Sequence, residues 1–319
     1  MQGAAEYTQD SFKWNKPDPP FEYTPLGTKK STAPGPQQIA LNETREARHA
    51  VIGPKIRAIA AEHNNAVVVL MVNYDQIPLL LNFLCQCDKK FLPCREMIFV
   101  FSLDSEAQEV LDSLGLPSYH YENTNNVQGY ATSGNEIVFW ENAVVYDTLL
   151  LGVDVLIHDN DIVWNANPLP LLQDESRAHV DMQFMTDRFT KKQKPLYFNA
   201  GFIYNRYNDR TVEFWRQAVM ESGIDKENAD RQQPILMPIL LNHYFTRNLR
   251  LWILPDKFTI GNLFDDIANP ELPLASEWIV AHATGTKSVE EKIAKFDIID
   301  AWHGDCIETL RNETVSQIN

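Results

Sequence analysis

Residues 66–72 read Ala-Val-Val-Val-Leu-Met-Val, an unbroken apolar run of strand length. A strand with one wet face alternates polar and apolar side chains; one with no polar position has both faces covered. The chain must therefore build a sheet inside a layer of helices on each side. The next ninety residues keep to that plan. Pro78 opens a helix through about Cys87, Met97–Leu103 reads as a second strand, and Ser105–Leu114 reads as a helix ended by Gly115. Ser118–Tyr121 is a short third strand, and Asn135–Leu151 is a long helix ended by Gly152. Val153–Ile157 is a further buried strand. This strand–helix alternation predicts a doubly wound α/β sheet, whose ligands sit beyond the carboxyl ends of its strands.

At such an end stands Asp159-Asn160-Asp161, followed by apolar Ile162, Val163 and Trp164. Two carboxylates held between apolar segments are costly unless a cation neutralises them. Carboxylate oxygens suit a hard divalent metal such as Mg²⁺ or Mn²⁺, which shares its shell readily with phosphate. That points to a nucleotide or nucleotide-sugar site. The competing reading is a plain turn, because all three residues favour turns.

The second half is less regular. Val180–Met185, Phe198–Tyr204, Trp252–Leu254 and Trp278–His282 read as strands. Helices are expected from Asp209 to about Met220, over Gln232–Leu241, and through most of 288–315. His282 ends its strand before Ala-Thr-Gly-Thr-Lys, so it is the candidate third metal ligand. Gly285 there leaves room for a phosphate, and Lys287 offers it a charge. The bland alternative is a packed histidine beside a turn. Asn199, next to Ala200-Gly201, is a candidate catalytic contact, or else a structural asparagine. Asp187 precedes a basic loop with Lys191, Lys192 and Lys194; it is the candidate catalytic carboxylate, against a reading as a solvated loop acid. Asn73 and Tyr74 at the end of the first strand, with Gln232, are assigned to cofactor contacts.

Residues 1–42 are polar and carry Pro17, Pro19, Pro20, Pro25, Pro34 and Pro36, which predicts a largely extended tail or stem. A helical pattern over 43–62 is expected to be interrupted near Gly53-Pro54. Net charge is −15, which argues against nucleic acid or an anionic membrane surface as the main partner. No run is long enough to span a membrane, and the N-terminal residues do not read as a signal peptide. Cys85, Cys87, Cys94 and Cys306 match no usual zinc spacing. They read as buried or free thiols, with one disulfide, involving Cys306, if the chain is secretory. Asn42-Glu-Thr and Asn312-Glu-Thr fit the short glycosylation acceptor pattern. There is no Gly-rich phosphate loop and no Ser-centred elbow, which disfavours a kinase or a nicotinamide oxidoreductase.

Four stretches carry a family resemblance: Leu81-Asn-Phe-Leu-Cys, Leu103-Asp-Ser-Glu-Ala, the block Leu149 to Pro170, and Asn199-Ala-Gly-Phe-Ile-Tyr. Over roughly residues 66–300 the chain resembles the nucleotide-diphospho-sugar transferase family of GT-A glycosyltransferases, related to rhamnogalacturonan xylosyltransferases and extensin arabinosyltransferases. The resemblance implies an α/β GT-A (Rossmann-like) fold with a mixed, mostly parallel sheet flanked by helices. It implies a single domain over 43–319, with a nucleotide-binding half (66–164) and an acceptor-side half (165–319). It also implies a Mn²⁺ (or Mg²⁺) cofactor, a UDP-sugar donor, a glycan or glycoprotein acceptor, retention of configuration and the Golgi lumen; a soluble cytoplasmic protein is the alternative. Asp159 and Asp161 take the metal and diphosphate, and His282 a further ligand position. The chain departs from the pattern at Arg231-Gln232, where the family has Asp-Gln. It departs again at Asn135, Glu136 and Glu141, where a lysine is usual, and in His282-x-x-Gly285-x-Lys287, one residue short of a related spacing. The rival functions are a metal-dependent phosphohydrolase using the same aspartates and a non-catalytic nucleotide- or glycan-binding relative.

Overall fold

The computed structural model describes residues 36–121, 134–186, 198–222, 232–261, 264–286 and 288–318. They belong to one compact unit, Pro34–Asn319. Its strands are β1 (Ala66–Val72), β2 (Ile98–Ser102), β3 (Ser118–His120), β4 (Asp154–His158), β5 (Ile162–Trp164), β6 (Met182–Thr186), β7 (Phe198–Asn205), β8 (Leu251–Ile253), β9 (Phe258–Ile260) and β10 (Val280–His282). The main sheet has the order β3-β2-β1-β4-β7-β6-β8. Its first four strands run parallel, with Val68 opposite Ile98 and Val68 opposite Leu156. β7 then reverses against β4, placing His158 opposite Phe202. The mixed, mostly parallel sheet that the family resemblance implies is present.

The helices are α1 (Pro36–Glu43), α2 (Arg45–Glu62), α3 (Ile77–Lys89), α4 (Cys94–Met97), α5 (Ser105–Ser113), α6 (Gly134–Leu149), α7 (Leu169–Leu172), α8 (Asp209–Ser222), α9 (Gln232–Thr246), α10 (Phe264–Ala268), α11 (Leu274–Glu277), α12 (Val289–Ile298) and α13 (Gly304–Ile318). The strand period of two explains the layers. Val67, Val69 and Met71 of β1 point into one cluster with Ile52, Phe139 and Trp215, from α2, α6 and α8. Val68, Leu70 and Val72 point into the other, with Leu80 and Leu84 of α3 and Leu111 of α5. Every β1 side chain is buried, as an unbroken apolar run requires. Gly115 and Gly152 turn the chain out of α5 and α6 at φ +64° and +85°, a region that suits glycine.

A second sheet, β5-β10-β9, was not legible in the sequence. β10 is the expected strand ending at His282, whereas β5 and β9, three residues each, are too short to show a period. β5 pairs antiparallel with β10, and Ile162 stands opposite His282.

Three other differences have physical causes. The expected tail extends to residue 42, yet Pro36–Glu43 is helical, with Leu41 buried and Gln38 donating to the Val219 and Met220 carbonyls. α2 passes through Gly53-Pro54 without a break. Ile52, Ile56 and Ala60 pack on the core there, and packing of that face outweighs the roughly 3 kcal/mol cost of an interior proline. The cysteines are not free thiols: Cys85 pairs with Cys306 and Cys87 with Cys94, which leaves no free cysteine. The first bridge ties α13 to α3 and the second closes the α3–α4 turn. No helix among the described residues is long and apolar enough to cross a membrane.

Candidate functional site

β4 delivers the acidic tripeptide to the carboxyl edge of the main sheet, and four hydrogen bonds fix it there. Asp159 N donates to the Gly201 carbonyl of β7 at 2.9 Å. Asn160 turns the other way: its Nδ2 donates to the Met71 carbonyl at 2.7 Å and to Gln76 Oε1 at 3.0 Å, tying the turn to the end of β1. The Asp161 carbonyl accepts from Ala283 N at 2.9 Å, just past β10. The chain then enters β5, whose pairing with β10 brings His282 over both carboxylates.

His282 Nε2 lies 3.1 Å from Asp161 Oδ1 and 3.4 Å from Asp159 Oδ2. Lys292 Nζ of α12 lies 3.0 Å from Asp161 Oδ2. The His282 and Asp161 side chains are 4% and 8% exposed, whereas Asp159 is 45% exposed and faces the opening. Burial alone would raise the Asp161 pKa, but His282 and Lys292 outweigh it and hold the carboxyl well below the usual range. Burial alone would lower that of His282, but Asp161 and Asp159 outweigh it and push the imidazole up to about 10. The two carboxylates thus share one cluster with an imidazole and an ammonium. His158 behaves oppositely. Enclosed by Phe83, Trp164 and Phe202, it is pushed down to about 4 by burial and is neutral. Its Nδ1 donates to the Asp159 carbonyl at 2.9 Å.

Gly201 explains the Asn-Ala-Gly stretch. A Cβ there would overlap the His282 imidazole and come within 2.6 Å of Asp159 Oδ2. The glycine lets β7 run directly beneath the cluster. Asn199 is buried, and its Oδ1 accepts from Gly201 N at 2.9 Å, so one face of its amide holds this bend.

Beside the cluster is a cavity of about 140 Å³ lined by Gln76, Glu141, Asp159, Gln232 and Lys292 among others. Glu141 of α6 is half-buried, and burial together with nearby Asp159 pushes its carboxyl up to about 8. Gln232 Nε2 donates to Asn142 Oδ1 at 2.9 Å. Of the candidates read from the sequence, the structure brings together Asp159, Asp161, His282 and Gln232. Asn73, Tyr74, Asn199 and Gly285 are not in the lining. Asn73 caps a short turn by accepting from Gln76 N, and exposed Tyr74 donates its N–H to Asp104. Gly285 turns the chain after His282 at φ +70°. Asp187 and Lys287, with Lys191, Lys192 and Lys194, lie outside the described residues.

Sequence reading missed Lys292 and Lys295. They lie one turn apart on α12; Lys292 meets Asp161 and Lys295 donates to the Thr284 carbonyl, holding the loop after His282. No local motif announces them. The usable signal was two lysines at helical spacing soon after the histidine.

The cluster fits a hard divalent cation. Two carboxylates and an imidazole present ligand atoms all within 4.8 Å of one another. An octahedral ion with ligands at about 2.1 Å sets neighbouring ligand atoms about 3 Å apart, close to the spacings between His282 and the two aspartates.

A sequence model described as nucleotide-diphospho-sugar transferase matches residues 94–296. The beta-arabinofuranosyltransferase RAY1 of Arabidopsis thaliana is 25% identical over 174 residues, which is 52% of this chain and 32% of the relative; the chain thus matches about a third of that relative's length. In backbone course the chain is similar to mouse xyloside xylosyltransferase 1, at TM-score 0.43 and 10% identity over 69% of this chain and 98% of that one. It is also similar to the glycosyltransferase GlyE of Streptococcus pneumoniae, at TM-score 0.41 and 17% identity over 76% and 64%. The span matched by the family runs from α4 into the last turn of α12 and takes in both aspartates, His282 and Lys292, and on that span the chain belongs to the nucleotide-diphospho-sugar transferase family.

Proposed function

We propose that the protein is a divalent-metal-dependent glycosyltransferase that moves a sugar from a UDP-sugar to a glycan or protein-linked acceptor, with retention of configuration. The carrying observation is the pair Asp159 and Asp161 closed by His282 at the mouth of a cavity on the carboxyl edge of the sheet. The expected cation is Mn²⁺ or Mg²⁺, held by these three side chains. When bound, it neutralises charge on the diphosphate leaving group.

The chain's own residues supply the rest. Lys292 faces the same pole of the cavity and offers an ammonium to a phosphate oxygen. Neutral His158 and Asn160 fix the turn that aims both aspartates. Glu141 and Gln232 line the cavity with groups able to hydrogen-bond sugar hydroxyls. Retention is proposed on the family resemblance. It requires either entry of the acceptor on the leaving group's face or prior attack by a carboxylate, for which Asp187 is the nominee. Complete pairing of the cysteines supports an oxidising lumen, such as the Golgi, as the place of work.

Calorimetric titration of UDP with and without Mn²⁺, into the native chain and Asp161→Asn, tests the reading. Binding that needs both the ion and Asp161 supports it. Absence of metal-dependent UDP binding to the native chain overturns it.

A further inference from the structure

Two acceptor tripeptides, Asn42-Glu43-Thr44 and Asn312-Glu313-Thr314, play no part in the cavity. We propose that Asn42 and Asn312 are N-linked glycosylation sites, modified in the same lumen that pairs the cysteines. The proposal rests on the lumenal placement and not on the transferase activity.

Three independent observations converge. The first is chemical: each tripeptide has Thr at the third position and no proline between, the pattern that oligosaccharyl transfer requires. The second is compartmental. All four cysteines are joined as Cys85–Cys306 and Cys87–Cys94, and paired cysteines mark an oxidising compartment. The secretory lumen where such pairs form is also where a lipid-linked oligosaccharide is available.

The third is steric. A glycan added to the extended chain must remain outside after folding, so both side chains have to end on the surface. Asn42 is exposed at the end of α1, although its neighbour Leu41 is buried. Asn42 Oδ1 accepts from Arg45 at 2.6 Å, while Nδ2, the atom to be modified, has no hydrogen-bond partner among the described residues. Glycosylation leaves the amide oxygen in place, so that contact survives. Asn312 is exposed on α13. Ile307 and Leu310 face the core on the same helix, and at 100° per residue Asn312 lies nearly opposite Leu310. Neither asparagine lines the cavity, so a glycan on either leaves the nucleotide path open.

The transfer is a substitution at carbon. The Asn Nδ2 attacks the anomeric carbon of a diphosphate-linked oligosaccharide, the C–N bond forms and the C–O bond to the lipid diphosphate breaks. The amide loses one proton, and the lipid diphosphate leaves with the electron pair.

The test is peptide mass spectrometry on the full chain isolated from its own cells and deglycosylated by an amidase in heavy-oxygen water. The expected result is conversion of Asn42 and Asn312 to Asp carrying the heavy oxygen. In a secretory host, Asn42→Gln and Asn312→Gln should each remove one step of electrophoretic mass, and the double variant both. Thr44→Ala should abolish the first step, while Thr44→Ser retains it. Each variant should bind UDP as the native chain does. Unmodified peptides from protein whose cysteines are disulfide-bonded overturn the proposal alone. Unmodified peptides from protein whose cysteines are reduced overturn the lumenal placement with it. Neither result bears on UDP binding, which is measured separately.

Discussion

His282 Nε2 rests 3.1 Å from Asp161 Oδ1, although one residue ends β10 and the other precedes β5. The antiparallel pairing of those strands sets Ile162 against His282 and so fixes the distance by backbone register. Gly201 beneath them makes the approach possible, because any β-carbon there overlaps the imidazole. The Asp159–Asp161–His282 cluster therefore depends on three strands from two sheets, and on one residue with no side chain.

Gly201→Ala tests that dependence. Overpacking costs about 1–3 kcal/mol, and the yielding atoms here are the imidazole and the Asp159 carboxylate. The expected outcome is a folded protein with a modest loss of melting temperature and a loss of Mn²⁺-dependent UDP binding. Calorimetry and thermal melting check the two parts separately. Unchanged metal-dependent binding would show that the close approach is not needed.

Lys292→Met should weaken UDP binding to the metal-loaded chain about tenfold, the loss of one charge-assisted hydrogen bond of about 1.5 kcal/mol. Without nucleotide the same variant frees Asp161 Oδ2, so Mn²⁺ alone should bind at least as tightly as in the native chain. Titration of free Mn²⁺ followed by spin resonance distinguishes the two effects.

Much of this architecture was legible in the sequence, and the remainder was hidden for identifiable reasons. β1 announced the layered sheet because seven buried positions in a row leave no wet face. Asp159-Asn160-Asp161 stood out because carboxylates there interrupt an apolar stretch. The strand ending at His282 was legible, but its pairing with β5 and β9 was not, because only tertiary folding brings those strands together, as it alone brings Lys292 of α12 to Asp161. The asparagine of Asn199-Ala-Gly201 looked chemical, whereas the structural demand falls on the glycine. Cysteine spacing gave no pairing, since the Cys85–Cys306 bridge spans a sequence separation of 221.

The metal-free protein should show a two-sided pH dependence. The His282 pKa is raised from 6.5 to about 10, so its stabilising effect is complete below pH 6.5 and is lost as pH rises through about 10. The Asp161 pKa is lowered from 3.8, so its effect is present above pH 3.8 and is lost on strong acidification. Melting temperature should thus decline from neutral pH toward pH 10 and again in acid. His282→Gln should flatten the alkaline limb. On the proposed function, Mn²⁺ takes the place of the His282 proton, so metal affinity should rise with pH over the same alkaline range.

Cys306→Ser should cost about 2–5 kcal/mol, because the bridge to Cys85 closes a very long loop. Chemical denaturation of the native chain with and without reductant should reproduce the loss, and Cys306→Ser should then respond less to reductant.

The support behind the cavity can be tested at Asp147. This fully buried carboxylate on α6 holds Arg48 and Arg45 of α2, lies 3.7 Å from His49, and accepts from the Tyr121 hydroxyl at 3.2 Å. Burial alone would raise its pKa, but His49 and Arg48 outweigh that and lower it, so it is ionised at neutral pH. Arg48 is 3% exposed and has no solvent to turn to if its partner is removed. Asp147→Ala should therefore destabilise the fold by about 3–5 kcal/mol, the cost of stranding a buried charge. Asp147→Ala with Arg48→Met removes both charges and should recover part of that loss. A denaturation series on the single variants and the double variant gives the coupling. If the double variant is no more stable than Asp147→Ala, the network does not act as a charge pair. Because α6 also presents Glu141 to the cavity, UDP affinity of the single variant at low temperature reports whether this anchor sets the wall of the site.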